Sequence, residues 1–248
     1  MISITKGRLA SLASASALVA AMAVVAVPAT AMATTCTPTD FVRDGIDLTA
    51  AQIGGTVTGP LDATDCNIGV YNPTSVSGAT IFGADYFGVV VNGMSANVTN
   101  STVRNIGEDP FDGSQHGRAI LYINGASGTI SGNRVYAFQK NGIEVSGLTA
   151  DGSGLSTPKT SATVKNNVVS GEGRIGYIAQ NGIVIRNDAS ATVTNNTVSG
   201  FYYTPTDTEA TGLLNYQAGA ITASANKFAD NEVNMYGLSG NKGGHVKP

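Results

Sequence analysis

One nine-residue pattern returns four times along the chain. It reads Ser95-Ala96-Asn97-Val98-Thr99-Asn100-Ser101-Thr102-Val103, then spans Ser127 to Val135, Ser161 to Val169 and Ser190 to Val198. A weaker fifth copy covers Ala220 to Phe228. The starts at 95, 127, 161 and 190 are separated by 32, 34 and 29 residues. A period of this size belongs to chains that stack one small unit on the next.

Each unit reads as two short strands around a bend. Val98, Ile130, Val164 and Val193 form one apolar column, and Val103, Val135, Val169 and Val198 a second. Between them Asn133, Asn167, Asn196 and Asn226 recur, with Ser101 in the same place. Stacked strands lie about 4.8 Å apart, so these asparagines can bond to one another in a ladder. Asn also tolerates the left-handed backbone angles of a tight bend.

A third strand follows in every unit: Gly88-Val89-Val90-Val91, Ala119-Ile120-Leu121-Tyr122, Gly142-Ile143-Glu144-Val145, Gly182-Ile183-Val184-Ile185 and Gly212-Leu213-Leu214-Asn215. Alternation sends 89, 120, 143, 183 and 213 inward and Val90, Leu121, Glu144, Val184 and Leu214 outward. Three short strands per turn, with aliphatic columns inside, predict an all-β, right-handed parallel β-helix of about six coils. A helical solenoid fails because no 3.6-residue apolar period persists. A β-sandwich, the competing fold, does not need the same residues at fixed offsets.

The third strand followed by S-x-x-V-x-N-N-x-V resembles the right-handed β-helix region shared by pectate-lyase-like and NosD-like proteins. The resemblance covers residues 77–240 and implies the fold. The arginine-containing motif of pectate lyases and the Asp-pair and Gly-His-Gly motifs of polygalacturonases are absent, and one fold serves many chemistries.

The N-terminus reads as an address. Lys6 and Arg8 precede an apolar stretch from about Leu12 to Val27, then Pro28 and small residues up to Ala33. This is the pattern of a secretory signal over 1–33 with an A-x-A cleavage site. The expected layout is then an N-terminal cap and first coil over 34–76, the β-helix over 77–240 and a loose tail over 241–248. Secretion places Cys36 and Cys66 in an oxidising exterior, where a lone pair is most simply a disulfide. No membrane span is expected after signal cleavage. The net charge of −3 supplies no basic field for nucleic acid, and the expected state is a monomer.

The coils differ most before the third strand, where insertions fall at 107–117, 171–180 and 201–210. Insertions at one corner line one face, here the outward face of the third strands, which in pectate-lyase-like enzymes carries the groove. The candidate catalytic residues are His116, Arg118, Lys140, Glu144 and Arg186. Arg174, Tyr122, Tyr177, Tyr202, Tyr203 and Tyr216 are the candidates for binding sugar rings. Asp109 and Asp112 are the candidate oxygen ligands for Ca²⁺, the one candidate cofactor. A lyase needs a base and a cation to neutralise a uronate carboxylate; a hydrolase needs two facing carboxylates, such as Glu144 with Glu172 or Asp207. The expected partner is a polysaccharide or cell-surface glycan, probed as a substrate of an acidic-polysaccharide lyase. A non-catalytic extracellular binding protein is the alternative.

Overall fold

The computed structural model describes residues 35–238. The expected signal at 1–33 and tail at 241–248 lie outside the described residues.

The described chain winds as a right-handed parallel β-helix with three walls. The first wall stacks Asn97–Thr99, Ser127–Ser131, Ser161–Lys165, Ser190–Thr194 and Ile221–Ser224. The second stacks Thr102–Ile106, Arg134–Phe138, Val168–Ile175, Thr197–Tyr203 and Lys227–Ala229. At the start of the helix, Thr56–Asp62 and Ser75–Phe82 each run through the corner and serve both walls. The third wall runs from Ile46–Ile53 and Ile68–Tyr71 through Phe87–Asn92, Arg118–Ile123, Asn141–Ser146, Asn181–Arg186 and Thr211–Tyr216 to Val233–Tyr236. Counting the two turns with merged corners, this makes seven coils rather than six, and parallel pairing already begins at Ala50 opposite Ile68.

The repeat columns are the interior. Val98, Ile130, Val164, Val103, Val135, Val169, Ile120, Ile143 and Ile183 all belong to one buried cluster. At about 1.5–3 kcal/mol per fully buried aliphatic side chain, this lumen is the main stabilising term. Glycine opens the third strand because there is no room for more: a Cβ at Gly182 would lie 2.5 Å from Val198 Cγ1 and 2.6 Å from the Gly212 carbonyl oxygen.

The asparagine ladder forms, with its labour divided. The residue before the ladder position takes the left-handed angle: Asn100 (φ 48°), Gly132 (67°), Asn166 (56°), Asn195 (56°) and Ala225 (54°). The next residue builds the ladder. Asn133 donates from N and Nδ2 to Asn167 Oδ1 at 3.0 Å, and its Nδ2 also donates to the Val98 carbonyl at 2.8 Å. Asn167 and Asn196 repeat these bonds one coil on. Each corner thus satisfies its buried amides internally.

A second core lies outside the lumen. Thr37–Arg43 pairs antiparallel with Ile46–Ile53. In sheet order it is three strands from Phe87–Asn92, a span of about 14 Å in a flat sheet. Yet the Phe41 ring lies 5.6 Å from that of Phe87. The hairpin therefore curls over the outer face of the third wall. There Phe41 packs with Leu48, Ile68, Tyr71, Val90, Leu121 and Ile123, and with Leu148 and Ala150 of the 148–155 loop. Val90 and Leu121 point outward as alternation requires, but the hairpin buries them. The Cys36–Cys66 disulfide ties this hairpin to the first coils.

Candidate functional site

Beyond the hairpin the outer face of the third wall turns polar. Glu144 stands in register with Leu121 on one side and Val184 on the other, so it occupies a column position that is otherwise apolar. It is 4% exposed. Its Oε2 accepts from Arg118 Nε at 2.7 Å and from Asn141 Nδ2 at 2.6 Å, and Arg186 Nη1 lies 3.7 Å from Oε1. Burial pushes the Glu144 carboxyl up, but Arg118, Arg186 and the two hydrogen bonds outweigh it and hold it below its ordinary value.

The cluster carries more positive than negative charge. Lys140 donates to the Ala179 carbonyl at 3.0 Å. Burial, with repulsion from Arg118 and Arg186, pushes its ammonium down to about 8 against the pull of Glu144. Arg43, at the hairpin turn, feels the same three charged neighbours; burial and Arg118 lower its affinity for protons. Its Nε is buried without a hydrogen-bond partner. Arg118 and Arg186 thus contact Glu144, and Lys140 and Arg43 lie within electrostatic reach of it, with Asp44 beside Arg43. Such an arrangement is suited to receiving an anion.

A cleft of about 800 Å³ opens beside the cluster along the third wall. Its floor includes Lys140, Asn141, Asn181, Val184, Arg186, Thr211 and Leu214, and residues 206–209 form one bank. Tyr216 and Tyr236, 50% and 52% exposed, stand at its far end. Asn181 donates to Asn141 Oδ1 at 3.2 Å, extending a polar line from the cleft floor to Glu144. A smaller hollow of about 160 Å³ adjoins the cleft; Gln115 and Arg186 line both.

The residues singled out from sequence divide clearly. Lys140 and Arg186 line the cleft together with Tyr216 and the carboxylate candidate Asp207, while Arg118 and Glu144 line the adjoining hollow, which Arg186 shares. His116 lines neither cavity: its ring stacks on Tyr86 at 4.0 Å and its Nε2 lies 3.2 Å from Glu108 Oε1. Tyr122 corrects an expectation. It is fully buried in the lumen and donates to the Ala96 carbonyl at 2.7 Å, because its place in the strand is an inward one. Tyr202 is buried under Arg174, whose guanidinium lies 3.9 Å from the ring centre. Tyr177 bonds to Glu172, and the Tyr203 amide donates to Glu232; none of Arg174, Tyr177, Tyr202 and Tyr203 lines the cleft. Asp109 is exposed, and Asp112 Oδ1 accepts from the Ser114 amide at 2.7 Å and from Gln139 at 3.0 Å. Among the described residues no three His, Cys, Asp or Glu side chains gather as a metal shell.

Arg43, Asn141, Asn181 and Tyr236 are cleft or cluster residues that sequence reasoning missed. The asparagines carried a usable signal, since both stand immediately before the Gly-Ile of the third strand. Arg43 carried none, because it lies outside the repeat.

No curated protein and no solved structure matches the chain. The family model described as the right handed beta helix region matches residues 87–247. With parallel ladders through every coil of that span, the chain belongs to the right-handed β-helix family.

Proposed function

We propose that this is a secreted protein that binds an acidic polysaccharide in the cleft of the third wall and cleaves it by elimination. The observation that carries the reading is the excess of cations around Glu144 at the head of a tyrosine-lined cleft. In this reading Arg118 and Arg186 neutralise a uronate carboxylate, which acidifies the neighbouring C–H. Lys140 is the base: with its ammonium pushed down to about 8, a useful fraction is neutral in mildly alkaline solution. It takes the proton from carbon 5, the C4–O glycosidic bond breaks, a 4,5-double bond forms, and the leaving oxygen takes a proton from water. Hydrolysis is the weaker reading. Glu144 is held ionised by two guanidinium groups and cannot serve as the acid, and as base or nucleophile it is engaged by Arg118 and Asn141 and lines the hollow, whereas Asp207 lines the cleft. Secretion is supported by the residue pattern at 1–33 and by the disulfide.

The test is to incubate the protein, with its first 33 residues removed, with polygalacturonate, alginate and hyaluronan. Unsaturated uronate absorbance and reducing ends are followed together. Elimination raises both, with a rate that climbs as pH rises through about 8 and is lost in Lys140→Ala. Reducing ends without absorbance would replace the lyase by a hydrolase. Binding without new ends would leave a glycan-binding protein.

A further inference from the structure

The cleft does not run the length of the third wall. At the N-terminal end it narrows into the hollow of about 160 Å³, which Arg43 and Asp44 of the hairpin turn face from one end and Tyr86 and Leu148 from the sides. Arg118 and Glu144 lie on its floor. The 148–155 loop meets the hairpin here, since a Cβ at Gly152 would come within 2.9 Å of Arg43 Nη1. The outer face beyond is filled by Phe41, Phe87 and Leu121. A polymer lying in the cleft therefore meets a blocked end. The hollow is far smaller than the cleft, about 160 Å³ against about 800 Å³, a space on the scale of a single sugar ring.

Resting on the reading above, the geometry points to recognition of a chain end. The hollow receives a terminal sugar bearing a carboxylate, with Arg43 and Arg118 as its cationic partners. The rest of the chain extends over Arg186 towards Tyr216 and Tyr236. Arg43 is the determinant that a through-running groove would not need. It comes from a segment outside the repeat and presents a buried Nε without a partner. Its Nη1 lies beside Gly152 of the loop, and the guanidinium lines the hollow within electrostatic reach of Arg118, Glu144 and Arg186. A terminal carboxylate in the hollow would meet this guanidinium by charge-assisted hydrogen bonds.

The experiment compares polygalacturonate and alginate, each as long polymer and as tetrasaccharide, by titration calorimetry on the mature protein carrying Lys140→Ala, which lacks the proposed base and leaves the chains uncut. Chain-end recognition gives saturation at one protein per chain whatever the length. Arg43→Ala then weakens tetrasaccharide binding about tenfold or more, as expected for a lost charged hydrogen bond, while Arg43→Lys recovers part of it. Thermal unfolding of both Arg43 variants checks that the hairpin stays folded, and the stoichiometry with Arg43 intact stands without either of them. Saturation that scales with polymer mass, unaltered in Arg43→Ala, would overturn chain-end recognition and leave the acidic-glycan reading intact. Absence of binding to every form would overturn both.

Discussion

Glu144 is the only charged side chain in a column shared with Val90, Leu121, Val184 and Leu214. A lone carboxylate in an apolar column survives only because Arg118, Arg186 and Asn141 surround it. Removing one partner of a buried ion pair leaves the other uncompensated, at a cost of about 3–5 kcal/mol. Glu144→Gln should therefore lower the melting temperature by roughly 6–20 °C for a domain of this size. The sign with pH follows from the depressed carboxyl. The unfolded chain holds the proton more tightly, so the ionised form stabilises the fold above the ordinary carboxylate range, and that stability is lost as pH falls through the lower folded value. The gap between wild type and variant should accordingly close in acid. Equal melting at neutral pH would mean that Glu144 is not the keystone of the cluster. This residue was legible in sequence because it breaks a column; Arg43, its distant neighbour in the cluster, breaks nothing and was not.

At the scale of elements, the legible part is the repeat and the illegible part is the hairpin. The three walls, their inward columns and the corner asparagines all follow from residues recurring at fixed offsets, since a parallel stack puts like above like. Thr37–Ile53 shares no such pattern. Its fold depends on Phe41 finding Tyr71 two strands away and Phe87 three strands away, and on Tyr71 donating to Asp40 while accepting from Asn92 at 2.6 Å. Periodicity predicts which side chains leave the lumen, as with Val90 and Leu121, but not what later covers them. The same limit explains Tyr122, whose ring type suggested sugar stacking while its parity placed it inside. The Cys36–Cys66 bond closes a separation of 30 residues and holds the hairpin to the first coils. Replacing both cysteines with serine should cost about 2–4 kcal/mol. Hydrogen exchange should quicken first in residues 37–53, with the coils from Asn97 onward little changed. Uniform loss of protection would mean that the hairpin and the helix unfold as one unit.

At the scale of the whole molecule, the repeated coils from Asn97 onward stack each on the coils before and after it, the hairpin alone reaching across several, so the stability of that stack is close to a sum of intrinsic terms and neighbour terms. The asparagine ladder makes that picture measurable, because one side chain type repeats the same bonds at different distances from the end. The Asn167 side chain accepts from the N and Nδ2 of Asn133 and donates to the Ile130 carbonyl and to Asn196 Oδ1, all of it buried. Asn226 accepts from Asn196 in the same way and donates to the Val193 carbonyl, but it lies in the last described coil and is half-buried. Water can replace lost partners there and cannot in the centre. Asn167→Ala should thus cost roughly 3–5 kcal/mol, at about 1 kcal/mol or more for each buried bond broken or left unpaired, and Asn226→Ala no more than about 1–2 kcal/mol. Denaturant unfolding of the two variants reads the difference directly. The m-value adds a second reading: a frayed last coil lowers it in Asn226→Ala by shrinking the surface exposed at the main transition. Equal costs with equal m-values would show that the ladder acts as one cooperative column rather than as a chain of neighbour contacts.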